Sequence, residues 1–267
     1  MDEENRTAFL RIDFNELSNL AHVGPRRACA FLKMGLHSCE NPPEDFTLQG
    51  GIAYRFLPDN TPQLVDQIKT EFSAWIVGSG LKELDHCFSL FLDKVWFTTR
   101  IIRLHGATVP SHIRIGDNFA DETNTARKLQ RINTEIGGTV DLGAFESLSL
   151  ARNALTHGAG IVAARHTNRE RALEIIWVAP ELVVQDGADE IVYRAEPADM
   201  HRVKSPDGAQ VLLRFSRHSV TFQEGERIRL TTHNLAEICA FYQSAGSHIL
   251  EKLKGRVLAA GIRPDAA

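Results

Sequence analysis

The chain has 267 residues, 43% of them hydrophobic and 24% charged, with a formal net charge of −4. This is globular composition, sufficient for a sizeable core in one large domain or two modest ones. The mildly acidic balance excludes a uniformly basic protein that coats long stretches of nucleic acid, though not a local pocket for one phosphate. The four cysteines, Cys29, Cys39, Cys87 and Cys239, include no closely spaced pair. A structural zinc site or a thioredoxin-like motif is therefore not expected, and reduced, mostly buried thiols in a cytoplasmic protein are. The opening Met-Asp-Glu-Glu-Asn-Arg is acidic and polar, unlike a secretory signal. No apolar run reaches the roughly 18 residues that a membrane span requires, so no membrane partner is expected.

In chain order, Asp13 can cap a short helix from Phe14 to Leu20, and Pro25 can open a second from Arg26 to Leu36. A loop follows through Glu40–Asp45 and Gly50-Gly51. His22, Cys29, His37 and Cys39 match no common zinc spacing and are read as isolated structural residues; no metal or cofactor is expected. Thr61 and Pro62 mark a helix start, and Leu64, Ile68, Phe72, Trp75 and Ile76 share one face. Gly78 and Gly80 break that helix. A second one, with Leu81, Leu84, Phe88, Phe91, Leu92, Val95 and Trp96, continues to about Leu104 as the central helix of a bundle. Gly78-Ser79-Gly80 has neither the lysine of a P-loop nor the spacing of a dinucleotide fingerprint. A connection over Ala107–Asp117 leads to a charged helix, Asn118–Ile136, stopped by Gly137-Gly138.

Asp141 can cap the next helix, which reads as one long buried element from Phe145 to Ala164, reaching Arg165. Glu146 in its first turns suits the helix dipole. Leu148, Ala151, Leu155, Ala159 and Val162 form its apolar side. Ser149, Arg152, Asn153, Thr156, His157 and Gly160 form a one-sided polar stripe. A polar stripe that leaves water needs a partner: another helix, a second subunit or a substrate.

Beyond Arg165 the period becomes alternating. Short strands are expected at Glu174–Val178, Glu181–Val184, Glu190–Tyr193, Gln210–Phe215, Ser219–Phe222 and Arg227–Leu230, separated by Asp-Gly, Pro-Asp-Gly and Glu-Gly turns. Helical period returns at Thr231 or Thr232 and runs to about Ala260. The fold class is thus α+β, mainly α: a helical bundle with a small antiparallel β-sheet inserted before the C-terminal helix. The organisation is an N-terminal extension over 1–60, a bundle over 61–166 plus 232–262, and the β insertion over 167–231.

Arg152-Asn153, three residues and His157, followed by trailing glycines on a late helix, resembles the motif of the HEPN superfamily. The stretch Ala-Arg-Asn-Ala-Leu-Thr-His-Gly-Ala-Gly-Ile-Val is similar to the Arg-Asn-x-x-x-His-x-x-Gly text of its uncharacterised bacterial HEPN-like branch. Phe-Ser-Leu-Phe-Leu-Asp at 88–93 resembles that branch's earlier core helix. The likeness covers roughly 61–165 and the last helix, and leaves 1–60 and the sheet unaccounted for. It implies a HEPN-like bundle, a metal-independent endoribonuclease acting on RNA rather than DNA, a dimeric site, and a place among toxin–antitoxin or defence components with an antitoxin or regulatory protein as partner.

The residue chemistry suits that implication. Histidine transfers protons near neutral pH, and arginine stays charged and grips phosphate through paired hydrogen bonds. His157 is accordingly assigned as general acid or base, Arg152 as phosphate clamp, and Asn153 as the residue that orients His157 or contacts substrate. Ser149, Thr156 and Arg165 are assigned to substrate binding, Arg165 at the head of a basic run that ends at Arg171. Arg152 and His157 lie about 140° apart around a helix, so two copies across a two-fold axis would bring one subunit's arginine to the other's histidine. The competing reading is structural: Arg152 paired with Glu146 or Asp141, His157 bonded in a helix seam, and the sheet as the contact surface of a non-catalytic dimeric interaction or scaffold protein. His105, His166, His201 and His218 are read as surface or structural residues.

Overall fold

The computed structural model describes residues 12–41, 61–105, 118–186, 189–193 (backbone) and 210–262. The expected loop from Pro42 to Gly51, the connection 107–117 and His201 lie outside the described residues. The described chain is mainly helical with a small antiparallel sheet, in the order α1 (Phe14–Glu40), α2 (Pro62–Leu104), α3 (Thr125–Ile136), α4 (Leu142–His157), β1 (Ala172–Asp186), β2 (Asp189–Tyr193), β3 (Gln210–Gln223) and α5 (Thr232–Ala259).

The helix starts follow the capping chemistry of the sequence. Asp13 Oδ1 accepts from the amides of Asn15 (2.9 Å) and Glu16 (3.0 Å). Thr61 Oγ1 accepts from Leu64 N at 3.3 Å, with Pro62 in the first helical position. Thr231 and Asn234 exchange two 3.1 Å bonds at the start of α5. At the other end of α3, Gly137 takes the left-handed φ of +68° expected of a helix stop.

Packing divides the chain into two units. The first holds 1–24, 85–142 and 242–267. Its core combines Leu92 and Val95 of α2, Leu129 and Ile132 of α3, and Ile249, Leu253 and Val257 of α5, all fully buried. Lys128 enters this unit as a buried ammonium because it is paired: its Nζ donates to Asp93 Oδ1 at 2.6 Å and Ser89 Oγ at 2.9 Å. Trp96 stacks on Phe119 at 4.6 Å with Arg131 over both rings. The charged helix expected from Asn118 begins only at Thr125; residues 118–120 form a turn and Asn124 supplies the cap.

The second unit holds 25–84 and 143–241, and here helix packing overrides local punctuation. The two short helices expected before residue 40 are one, α1, running through Pro25. A proline inside a helix costs about 3 kcal/mol, which buried flanking residues offset: Leu17 and Ala21 before it, Ala28 and Leu32 after it. Nor do Gly78 and Gly80 break α2. They are where other elements approach it. A Cβ at Gly80 would stand 2.6 Å from the Leu32 side chain, one at Gly35 2.6 Å from Ile76, and one at Gly78 3.0 Å from Leu155. Glycine here permits close approach rather than a turn. The expected apolar face before Gly78 is also different: Ala74 and Val77 are buried, whereas Phe72 and Trp75 are 38% and 62% exposed and stack on each other at 5.9 Å.

Among the described residues, three strands in the order β2-β1-β3 replace the six short ones expected. β1 runs unbroken through Pro180, which faces Phe215 in register, and β3 joins both of its expected pieces. Arg227–Leu230 is not a strand; only an isolated bridge joins Arg227 to Ile161. The reason Pro180 is tolerated lies in the side of β1 away from β3. β2 covers that side only from Leu182 onward, so the preceding even-numbered residues need other partners. Asn168 bonds both backbone groups of Glu174 at 2.8 Å. Buried Ser147 of α4 accepts from Ile176 N at 2.9 Å while donating to Ala144 O at 2.8 Å. Pro180 has no N–H to satisfy.

Candidate functional site

α4 carries the polar stripe. Its inner face buries Ala144, Phe145, Leu148, Ala151, Ala154 and Leu155. The opposite side presents half-buried Ser149, Arg152 and Asn153 and exposed Thr156 and His157. The helix does not continue to Ala164 or Arg165 as its apolar period suggested: it ends at His157. Gly158 N and Gly160 N both return to Ala154 O, at 2.9 and 3.0 Å, and Ala159 and Gly160 adopt φ of +50° and +81°. The left-handed Ala159 costs about 1 kcal/mol or more, and the doubled return bonds to one carbonyl offset it. Gly160 therefore leaves the stripe, which finishes on a histidine in the last turn of the helix.

Within the stripe, Arg152 and Asn153 are joined directly. Arg152 Nε and Nη2 donate to Asn153 Oδ1 at 3.2 and 3.0 Å, orienting the guanidinium along the helix surface. Thr156 Oγ1 donates back to Arg152 O at 2.8 Å. Asn153 thus serves the arginine through its carbonyl oxygen. Arg152 and His157, five residues apart, occupy opposite edges of the stripe at about 140°. A single α4 does not close them around one phosphate.

Arg165 lies beyond the helix, in the middle of a single 3-10 turn, Ala164–His166, and its Nε stands 3.2 Å from His166 Nε2. His166 is 3% exposed, the structural rather than the surface alternative of its reading, and its Nδ1 accepts from Ala163 N at 3.1 Å. That bond makes Nδ1 the bare nitrogen of a neutral ring, so the Arg165 contact is a close approach of a cation and not a second donated bond. Burial first, then the charges of Arg165 and His157, hold the His166 pKa below its ordinary 6.5. A Cβ at Gly158 would lie 3.4 Å from His166 Cε1, which places the buried ring against the turn that follows His157.

A second constellation joins residues far apart in sequence. Glu181 of β1, 6% exposed, accepts from Ser216 Oγ at 2.5 Å and lies 3.2 Å from His218 Nε2 and 3.6 Å from Arg214. The other ring nitrogen of His218 is 3.7 Å from Glu237 of α5. Glu237 also accepts from Trp177 Nε1 at 2.8 Å and pairs with His233 at 3.1 Å. The chain Glu181–His218–Glu237–His233 ties β1, β3 and α5 together, so His218, its side chain 10% exposed, takes the structural alternative of its reading as a linking residue. Only the i, i+2 spacing of Ser216 and His218 on an alternating strand hinted that they share a face.

Among the described residues no group of three or more His, Cys, Asp or Glu is arranged to hold a metal ion, and no helix is long and apolar enough to cross a membrane. Cys239 is buried and its thiol is pushed up to about 12, by burial first and then by Cys29. Cys29 itself is exposed. The chain matches no protein-family model, no curated protein and no solved structure.

Proposed function

We propose that the protein is a HEPN-like, metal-independent endoribonuclease whose site forms when the α4 stripes of two copies meet, with Arg152 as phosphate clamp and His157 as general acid or base. The observation that supports this most directly is the accessibility of the stripe: His157 and Thr156 are exposed and Arg152 and Asn153 half-buried, while the opposite face of α4 fills the core. The bond from Arg152 to Asn153 sets the guanidinium direction before substrate arrives, which lowers the ordering cost of gripping a phosphate. Its partner across the seam is a proton-transfer residue at a helix end. With RNA, the 2′-hydroxyl attacks the adjacent phosphorus, one His157 takes its proton, and the 5′-oxygen leaves with a proton from the general acid. The product is a 2′,3′-cyclic phosphate and a 5′-hydroxyl. A role as a toxin or defence component, held in check by an antitoxin or regulatory protein, belongs to the same proposal.

The second reading is a dimeric, non-catalytic HEPN-like scaffold. It is favoured by the same Arg152–Asn153 bond, because a guanidinium bonded within its own helix can serve the seam alone. Incubation of the wild type, His157→Ala and Arg152→Ala with mixed RNAs in EDTA separates the two. Cleavage leaving cyclic phosphate ends in the wild type only supports the ribonuclease. RNA left intact by all three, with dimerisation lost in the variants, overturns it in favour of the scaffold.

A further inference from the structure

A groove of about 500 Å³ in the second unit brings together Lys69 of α2 and Arg227 and Arg229 of the segment after β3, with Glu40 as the one carboxylate among its described lining residues. Three cations around one cavity, in a chain of net charge −4, repel one another unless an anion sits between them. No ion pair among the described residues occupies Lys69 or Arg229, and Glu40 faces His37 at 3.9 Å. The arginines are held on a rigid support. Residues 160–162 pair with 225–228 through Val162 N to Glu226 O (2.9 Å), Gly225 N to Val162 O (2.8 Å) and Ile228 N to Gly160 O (2.8 Å). Arg227 Nη1 is anchored to Ala159 O at 2.7 Å. Leu155 and Val77 give the same groove an apolar wall.

From this arrangement we infer that the groove binds a phosphate-bearing small molecule of nucleotide size, its anionic group on Lys69, Arg227 and Arg229 and its uncharged body against Leu155 and Val77. Guanidinium forks suit phosphate oxygens, and the volume falls in the roughly 300–1,000 Å³ range of small-ligand sites. The site is independent of the ribonuclease proposal, because none of Ser149, Arg152, Asn153, Thr156 and His157 lines the groove.

Calorimetric titration at low salt with pyrophosphate, ADP and adenosine tests this. ADP and pyrophosphate are expected to bind saturably at one site, and adenosine at least about tenfold more weakly. Arg229→Gln and Lys69→Gln, each checked for an unchanged melting profile, are expected to weaken ADP binding about tenfold or more; Lys254→Gln, which does not line the groove, leaves it intact. Absence of binding by both phosphates, equal affinity for adenosine and ADP, or wild-type affinity in both groove variants overturns the inference. So does binding of a short RNA, lost in the groove variants, without binding of ADP. RNA cleavage in EDTA by Arg229→Gln tells the failure of this site from the failure of the α4 site.

Discussion

Replacing His218 by leucine removes the link between two largely shielded carboxylates while filling similar space. In the folded protein Glu181, His218 and Glu237 have side chains 7%, 10% and 13% exposed, so solvent screens their interaction weakly. Breaking a buried pair by deleting one partner typically costs about 3–5 kcal/mol. Here each carboxylate keeps other partners: Ser216 and the half-exposed Arg214 for Glu181, Trp177 and His233 for Glu237. The expected loss is therefore smaller, about 2–3 kcal/mol. At about 2–4 °C per kcal/mol for a chain of this size, Tm should fall by roughly 5–10 °C. Urea and thermal unfolding followed by circular dichroism measure it. Adding Glu181→Gln in the His218→Leu background should restore about 1 kcal/mol, since one of the stranded charges is then neutral. A loss under about 0.5 kcal/mol, or strictly additive single and double variants, would refute the reasoning that His218 links both carboxylates.

Other outcomes follow from individual contacts. Ser147→Ala leaves Ile176 N–H buried without its 2.9 Å partner and should cost about 1–3 kcal/mol in urea unfolding, with amide exchange at Ile176 accelerated. Gly80→Val drives a side chain into Leu32 and should destabilise by about 1–3 kcal/mol. His166 binds a proton more weakly folded than unfolded, so its contribution is complete above 6.5 and lost as pH falls through the lowered folded value. Stability should therefore drop on acidification below 6.5, and His166→Phe should flatten that part of the profile. Iodoacetamide at mildly alkaline pH should label exposed Cys29 and spare Cys239 until the chain unfolds, as mass spectrometry would show, because the Cys239 thiol is raised to about 12.

Much of the architecture was legible in the sequence. Local chemistry was enough for Asp13, Thr61 with Pro62, Thr231 and Gly137 to mark helix ends, because a cap is made by residues within a turn of one another. The switch from helical to alternating period located the sheet, and the apolar run Leu81–Val95 located a buried helix. The Arg152–His157 stripe and its one-sidedness were also visible, since helical spacing alone places residues around an axis.

Tertiary structure decided what neighbours in space impose. Gly35, Gly78 and Gly80 act as contact points between elements because the partner that approaches each lies many residues away. Pro25 remains inside α1 because buried residues on both flanks offset its missing hydrogen bond. Pro180 remains inside β1 because the edge it faces is closed by Asn168, Ser147 and β2 on either side. The end of α4 at His157, two turns before its apolar period fades, depends on the return of two amides to one carbonyl. The Glu181–His218–Glu237 chain and the Lys69–Arg227–Arg229 groove gather residues from separate elements, and a linear pattern carries no record of such distances.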